Sequence, residues 1–264
     1  MLGVGKNIAV RYASRGARVV LVARREKQLQ EVVQECGGTD RVKAFVGDFT
    51  NIDDLVRLKG FVEKLGGLDT LHIIAGVSAL RPIMDIRSAT SPDSLSANLS
   101  NLSSITSSAV SANFLAPLLA AYTFIPLLIS TSKQPAIQHL SSVAALIPAP
   151  TRAIYASTKS GALVGLRALA IEQPAIKWSF VIPATIEGDF RRGAVDAGEV
   201  KEKLDGALKS DYVAKECVRA VDEGKKMMIL PRQYWLFYLL SYIIPSVVER
   251  GARKKYAYTA PKVE

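Results

Sequence analysis

Residues 141–159 read SSVAALIPAPTRAIYASTK. Within them Ser142 precedes Tyr155, and Lys159 lies four positions beyond the tyrosine. On a helix, Tyr155 and Lys159 stand one turn apart on the same face. An ammonium beside a phenol favours the phenolate and pulls its pKa below the ordinary value of about 10. A tyrosine tuned in this way exchanges a proton near neutral pH, as a general acid for an alkoxide must. Just upstream, AIQHL at 136–140 reads as a buried strand. Ser142 then falls at a strand's C-terminal end, where open α/β sheets bind their ligands. A solvated Tyr–Lys pair is the ordinary alternative on any helix, so the rest of the chain has to decide.

Working outward, strands and helices alternate. Residues 3–15, GVGKNIAVRYASR, are a glycine turn feeding a helix, and ARVVLV at 17–22 is a strand expected to be buried on both faces. A polar helix at 24–36 leads to a strand at 42–46 and the turn GDFT at 47–50. Asn51 caps a helix running to about residue 65, and 68–75 is a further strand. The apolar helix 113–130 is expected to be buried, in part at a subunit interface. Strand 136–140, helix 153–173, strand 178–182, helix 211–223 and strand 227–230 complete the pattern. The serine-rich stretch 89–111 reads as a loop or weakly helical insertion, bordering a substrate cleft or simply solvated. The alternation predicts an α/β fold: a doubly wound, Rossmann-like parallel sheet in a three-layer α/β/α sandwich. One domain is expected over 1–231, with an apolar helix and basic tail at 232–264.

Composition narrows the chemistry. The 264 residues include only His72 and His139, and only Cys36 and Cys217. A histidine triad, a metal cluster and a disulfide framework are therefore not expected. The formal charge of +10 suits a phosphorylated cofactor or an anionic membrane. No basic–aromatic ladder supports a nucleic-acid partner. The opening residues lack a signal-peptide pattern, and no run of 18 apolar residues suggests a spanning helix.

With these elements placed, the chain resembles the classical short-chain dehydrogenase/reductase family from Gly3 to about Pro231. Ser142, Tyr155 and Lys159 match that family's serine and YxxxK motif. Asn113 matches its asparagine, which the resemblance implies holds a water in a proton relay. Gly3-Val4-Gly5 is similar to the end of the TGxxxGxG turn, where glycines let the backbone approach a pyrophosphate. Arg24, with Arg25 beside it, stands where an acidic residue would bond the 2′-hydroxyl of NAD, and a guanidinium there suits the 2′-phosphate of NADP instead. NADP is thus the expected cofactor, ahead of NAD. Asp48 and Phe49 resemble the adenine-contacting pair, Ala75-Gly76 the end of the NNAG motif, and Pro183, Thr185 and Ile186 the loop at the nicotinamide.

Three departures accompany the resemblance. Ile73 and Ile74 replace the two asparagines of NNAG, and Pro183-Ala184 replaces Pro-Gly. The third is the start at Met1, two residues ahead of Gly3. The family's first strand is then missing, its two neighbours should lack ladder partners, and part of the phosphate cradle should be gone. Truncation of a longer protein is the expectation. The rival is a non-catalytic, membrane-associated Rossmann-like module without dinucleotide binding.

YWLFYLLSYII at 234–244 is flanked by basic residues on both sides. It is too short to span a bilayer. It suits either a helix lying in an anionic membrane interface or one packed on the core or in a homodimer, and it resembles the tail of membrane-associated hydroxysteroid dehydrogenases. The implied function is an NADP(H)-dependent oxidoreductase interconverting a carbonyl and a secondary alcohol on a small lipophilic substrate. Its implied location is intracellular, either peripheral on a membrane such as the endoplasmic reticulum or cytoplasmic. The cleft walls, 79–112 and 188–209, carry no readable motif.

Overall fold

The structure is a computed structural model that describes residues 3–38, 40–199 and 206–259. Met1, Leu2 and positions 200–205 of the expected cleft wall lie outside the described residues. In chain order the elements are α1 (Val4–Ser14), β1 (Val19–Ala23), α2 (Glu26–Glu35), β2 (Val42–Val46), α3 (Ile52–Lys64), β3 (Thr70–Ile73), α4 (Leu95–Val110), α5 (Ala116–Thr131), β4 (Ala136–Leu140), α6 (Ala153–Glu172), β5 (Lys177–Pro183), α7 (Ser210–Asp222), β6 (Met227–Leu230), α8 (Tyr234–Ile243) and α9 (Pro245–Lys255).

All strand pairs are parallel, in two groups. β1 pairs with β2 from Val19↔Val42 to Ala23↔Val46. The second group runs in the order β3-β4-β5-β6, with Ile73 beside His139, Leu140 beside Val181 and Pro183 beside Leu230. Side chains alternate across this sheet as strand geometry requires. On β5, Trp178, Phe180 and Ile182 join the core under α3, α5 and α6, which contribute Leu58, Phe124 and Leu163. Val181, on the opposite face, packs with Val4 and Ile8 of α1 and Val213 and Cys217 of α7. A third cluster joins Leu21, Leu29 and Val42 beneath α2. Helices therefore cover both faces, giving an α/β/α arrangement.

The two sheets are separate: among the described residues no ladder joins β1 to β3. Both strands instead line one cavity of ≈ 2260 Å³, beyond the roughly 300–1000 Å³ of an ordinary ligand pocket. The excess is a slot between the two strand edges. This changes one expectation. Only Leu21 of β1 is fully buried, while Val20 and Val22 on the opposite face are half-buried, because the strand's flank meets the slot rather than another strand.

Of the two readings of the serine-rich stretch, the helical one holds, as α4 over Leu95–Val110. Ser94 caps it by accepting from the Ala97 amide at 3.3 Å. Leu102, Ile105 and Ala109 form a stripe packed on Ala79 and Ile86. Asn98 fastens its start, accepting from the Ser88 amide and donating to the Pro92 carbonyl, each at 2.7 Å. α4 continues through a π-helical turn, Ser111–Leu115, into α5. The resulting helix Leu95–Thr131 is long and apolar enough to cross a membrane by length and composition, where none was expected. Its Ala120, Ala121, Phe124 and Leu128 are core residues packed against the sheet. The apolar tail also forms two helices, since Pro245 has no N–H to continue α8 and opens α9 instead.

Candidate active site

The segments that follow strands at their C-terminal ends converge on the large cavity. Ser142 lies just past β4. Its hydroxyl accepts from the Ala144 amide at 3.2 Å and opens a short 3₁₀ turn, Val143–Ala145. Tyr155 sits in the first turn of α6, its ring edge-on to Phe190 at 6.2 Å. Lys159, one turn later, is 3% exposed and donates from Nζ to the Leu140 carbonyl at 3.2 Å. Burial lowers its pKa from the usual 10.5 to about 8. Ser142, Tyr155 and Lys159 all line the cavity.

Asn113 sits in the π turn and is fully buried behind this wall rather than in it. Its Oδ1 accepts from the Val77 amide at 2.8 Å, and Nδ2 donates to the Val77 carbonyl at 2.9 Å and to Thr158 Oγ1 at 3.0 Å. Thr158 Oγ1 in turn donates to the Tyr155 carbonyl at 2.9 Å. The side chain thus fixes the loop after β3 to the helix carrying Tyr155. Gly76 fits between them because it has no side chain: a Cβ there would stand 2.8 Å from Asn113 Oδ1 and 3.2 Å from Lys159 Nζ.

The other end of the cavity carries the expected nucleotide residues. Gly3 is the N-cap of α1 with φ 82°, and no side chain caps that helix. Its first-turn N–H groups are thereby left for an anion, the arrangement a pyrophosphate uses. Arg24 and Arg25 follow β1, and Arg24 lies 3.5 Å from Asp48. Asp48 is held in turn by the Thr50 amide and hydroxyl at 2.9 and 2.8 Å. Pro183 closes β5, and the next residues are pinned by a bridge between Ile186 and Leu208, with the Leu208 amide donating to the Thr185 carbonyl at 2.8 Å. Gly3, Val4, Gly5, Arg24, Arg25, Asp48, Phe49, Ala75, Gly76, Pro183, Thr185 and Ile186 all line the same cavity as Tyr155. An uncapped helix start, paired arginines and a strand-end cleft fit a dinucleotide.

A model of the short chain dehydrogenase family matches residues 1–197. The chain belongs to the short-chain dehydrogenase family. Among its relatives, the Arabidopsis thaliana protein named 11-beta-hydroxysteroid dehydrogenase-like 4A is 29% identical over 255 residues, covering 93% of this chain and 79% of that one. The Sesamum indicum 11-beta-hydroxysteroid dehydrogenase A is 25% identical over 269 residues, covering 96% and 72%. A Bacillus anthracis short chain dehydrogenase superposes with a TM-score of 0.70 at 20% identity, covering 88% of this chain and 92% of its own. The alcohol dehydrogenase of Thermococcus sibiricus, solved with 5-hydroxy-NADP, gives 0.67 at 20%, covering 86% and 91%. As a short-chain dehydrogenase, the chain is an NAD(P)-dependent oxidoreductase.

Several residues at the candidate site were not anticipated from the sequence. Asp196 Oδ2 accepts from the Leu80 and Arg81 amides at 2.6 and 2.7 Å, tying the segment after β5 across the cleft. Arg152, at the N-cap of α6, is buried against Ser78 and Ala79. Tyr256, beyond α9, reaches the same cavity. Each depends on partners far away in sequence, and no local signal marks it.

Proposed function

We propose that this short-chain dehydrogenase interconverts a carbonyl and a secondary alcohol on a small lipophilic substrate, with NADP(H) preferred over NAD(H). When bound, the nicotinamide cofactor supplies or accepts the hydride. Ser142 hydrogen-bonds the substrate oxygen, and Tyr155 gives that oxygen its proton or removes it. Lys159 remains largely protonated at neutral pH even with its pKa near 8. Its charge favours the phenolate, and its nitrogen is placed to hold a ribose hydroxyl. Asn113 locks the wall behind Tyr155, and the anchoring of a relay water is assigned to it. Arg24 and Arg25 take the 2′-phosphate, which a guanidinium bonds as an acidic side chain cannot.

The supporting observation is that nucleotide-end residues and the Ser142, Tyr155, Lys159 set line one continuous cavity. The neighbour solved with 5-hydroxy-NADP and relatives named for hydroxysteroids point the same way. Tyr155→Phe is expected to abolish NADPH-linked turnover of a hydrophobic ketone panel while NADPH still raises the melting temperature. An active Tyr155→Phe enzyme would falsify the assignment.

α8 exposes Trp235, Leu236, Phe237, Leu239, Tyr242 and Ile243, while Tyr234 and Tyr238 pack on the core. Basic Arg253, Lys254 and Lys255 close α9. We assign this face to an anionic membrane surface such as that of the endoplasmic reticulum. Leu115, Tyr122 and Ile129, exposed at seven-residue intervals, together with Val164 and Ile171 of α6, suit a second copy of the chain.

A further inference from the structure

Arg152 stands three residues before Tyr155 and is only 5% exposed. A charge is taken out of water at a cost unless bonded, and here two acceptors meet it. Its guanidinium donates to Ser78 Oγ at 3.2 Å and to the Ala79 carbonyl at 3.3 Å. Its Cζ also lies 5.8 Å from the centre of the Tyr155 ring and 5.4 Å from that of Tyr256. Both lie within reach of cation–π attraction. The contacts continue outward: Lys255 Nζ lies 5.8 Å from the Tyr256 ring, 5.7 Å from the Tyr234 ring and 3.3 Å from the Tyr234 hydroxyl. Rings and cations thus alternate from Tyr155 through Arg152, Tyr256 and Lys255 to Tyr234 at the start of α8. All five line the cavity with Ser142 and Lys159.

We infer that Arg152 is a positioning residue that orients the Tyr155 ring and ties Tyr256 to it, making the C-terminal segment a wall of the substrate cleft. The inference rests on Tyr155 being the acid/base group. Arg152 then supports the Tyr155 phenolate from the N-terminal side of α6, as Lys159 does from one turn further on. The other charged groups lining this part of the cavity are Lys159 on α6, Glu187, Asp189, Arg191 and Arg192 after β5, and Lys255 at the end of α9. They are unchanged by substitution at 152, so the contribution of Arg152 can be isolated.

The test uses the full chain with Arg152→Met, which keeps length and removes charge, Arg152→Lys, and Tyr256→Ala. Tyrosinate absorbance is titrated with and without Tyr155→Phe in each background, and the difference isolates Tyr155. Loss of the cation is expected to raise the Tyr155 midpoint by about one pH unit, with Arg152→Lys recovering at least half. Trypsin cleavage at 253–255 is expected to quicken several-fold in both Arg152→Met and Tyr256→Ala. An unmoved midpoint overturns the positioning role, and an unchanged cleavage rate overturns the tie to the tail. Should Arg152→Met not fold, Tyr256→Ala decides the tie, and Arg152→Gln, which keeps a hydrogen-bond donor and removes the charge, decides the positioning role by raising the midpoint by about one unit. Neither readout needs turnover. An active Tyr155→Phe enzyme therefore removes the parent reading, whereas an unmoved midpoint beside an inactive Tyr155→Phe removes only the role of Arg152.

Discussion

Lys159 Nζ donates to the main-chain oxygen of Leu140 at 3.2 Å, so the last residue of β4 holds an amine delivered by α6. Burial holds the pKa of that amine near 8 against an ordinary 10.5. Between those values the unfolded chain binds the proton and the folded chain does not. Stability from this group is therefore present above the unfolded value and lost as pH falls through about 8. At pH 7 the full penalty stands, on the order of 3 kcal/mol. Lys159→Met, apolar and of similar length, is expected to stabilise the fold at pH 7 by about 1–3 kcal/mol, since it also forfeits one hydrogen bond. Turnover should fall at least a hundredfold, roughly the scale of a lost proton-transfer partner. Urea midpoints and NADPH oxidation check the two halves, and a less stable Met variant would contradict the burial argument.

The acid limb of stability belongs to the histidines. His139 lies fully buried in β4 beside Ile73 of β3. Burial first, then the charge of Lys159, lowers its pKa to about 3, against the opposing effect of the Ile73 main chain. His72 is lowered to about 4 by burial, against the opposing effect of its 3.0 Å bond to Gln138 Oε1. Because that oxygen only accepts, Nδ1 of His72 carries the proton. Both rings are neutral in the fold, whereas the unfolded chain protonates them near pH 6.5. Stability is thus complete above that value and declines as pH drops toward 4, by about 1.4 kcal/mol per unit for each ring. His139→Leu should reduce the slope of the urea midpoint between pH 6 and 4 by about half, as expected when one of two such sites is removed. An unchanged slope would mean that His139 takes its proton in the folded state.

How far the sequence carries can be followed residue by residue. Strands 42–46, 136–140 and 227–230 were legible because short apolar runs stand between turn signals, and the structure places strands at those same bounds. Asn51 was legible as a cap, and its Oδ1 accepts from the Asp54 amide at 3.1 Å. α4 was legible only as one of two readings, since serine favours caps and turns. Its apolar stripe has meaning only once Ala79 and Ile86 are brought beneath it. The half-burial of β1 depends on which strand lies beside it, a property of the sheet and not of ARVVLV. Arg152 looks like any arginine at a helix start until Tyr256 folds back onto it.

Cofactor choice should turn on Arg24. Its guanidinium is exposed and sits 3.5 Å from Asp48, a rim contact that water weakens. A 2′-phosphate offers a stronger partner at the same place. Arg24→Ala is expected to weaken NADPH binding by about ten- to a hundredfold, the range for loss of one charge-assisted hydrogen bond. NADH affinity should stay within about twofold, because its free 2′-hydroxyl has no comparable need of a cation. Fluorescence titration with both cofactors measures the ratio. Equal losses for the two would assign Arg24 to the fold or to a shared phosphate instead.

The outer face of α8 carries the last expectation. Leu239 and Ile243 are both exposed, while Tyr238 on the same helix packs inward. Substituting the outer pair therefore leaves the core contact intact. Burying two aliphatic side chains in a bilayer interface contributes on the order of a few kcal/mol, and nearby Arg and Lys add an electrostatic part that salt screens. The parent chain should float with vesicles containing phosphatidylserine and progressively less as ionic strength rises. Leu239→Asp with Ile243→Asp should abolish flotation while leaving the melting temperature within a few degrees, as is usual for exposed positions, roughly ±0.5 kcal/mol. Flotation that persists in the double variant would move the membrane contact elsewhere. A double variant that unfolds would show that this face packs against protein, as it would in a dimer.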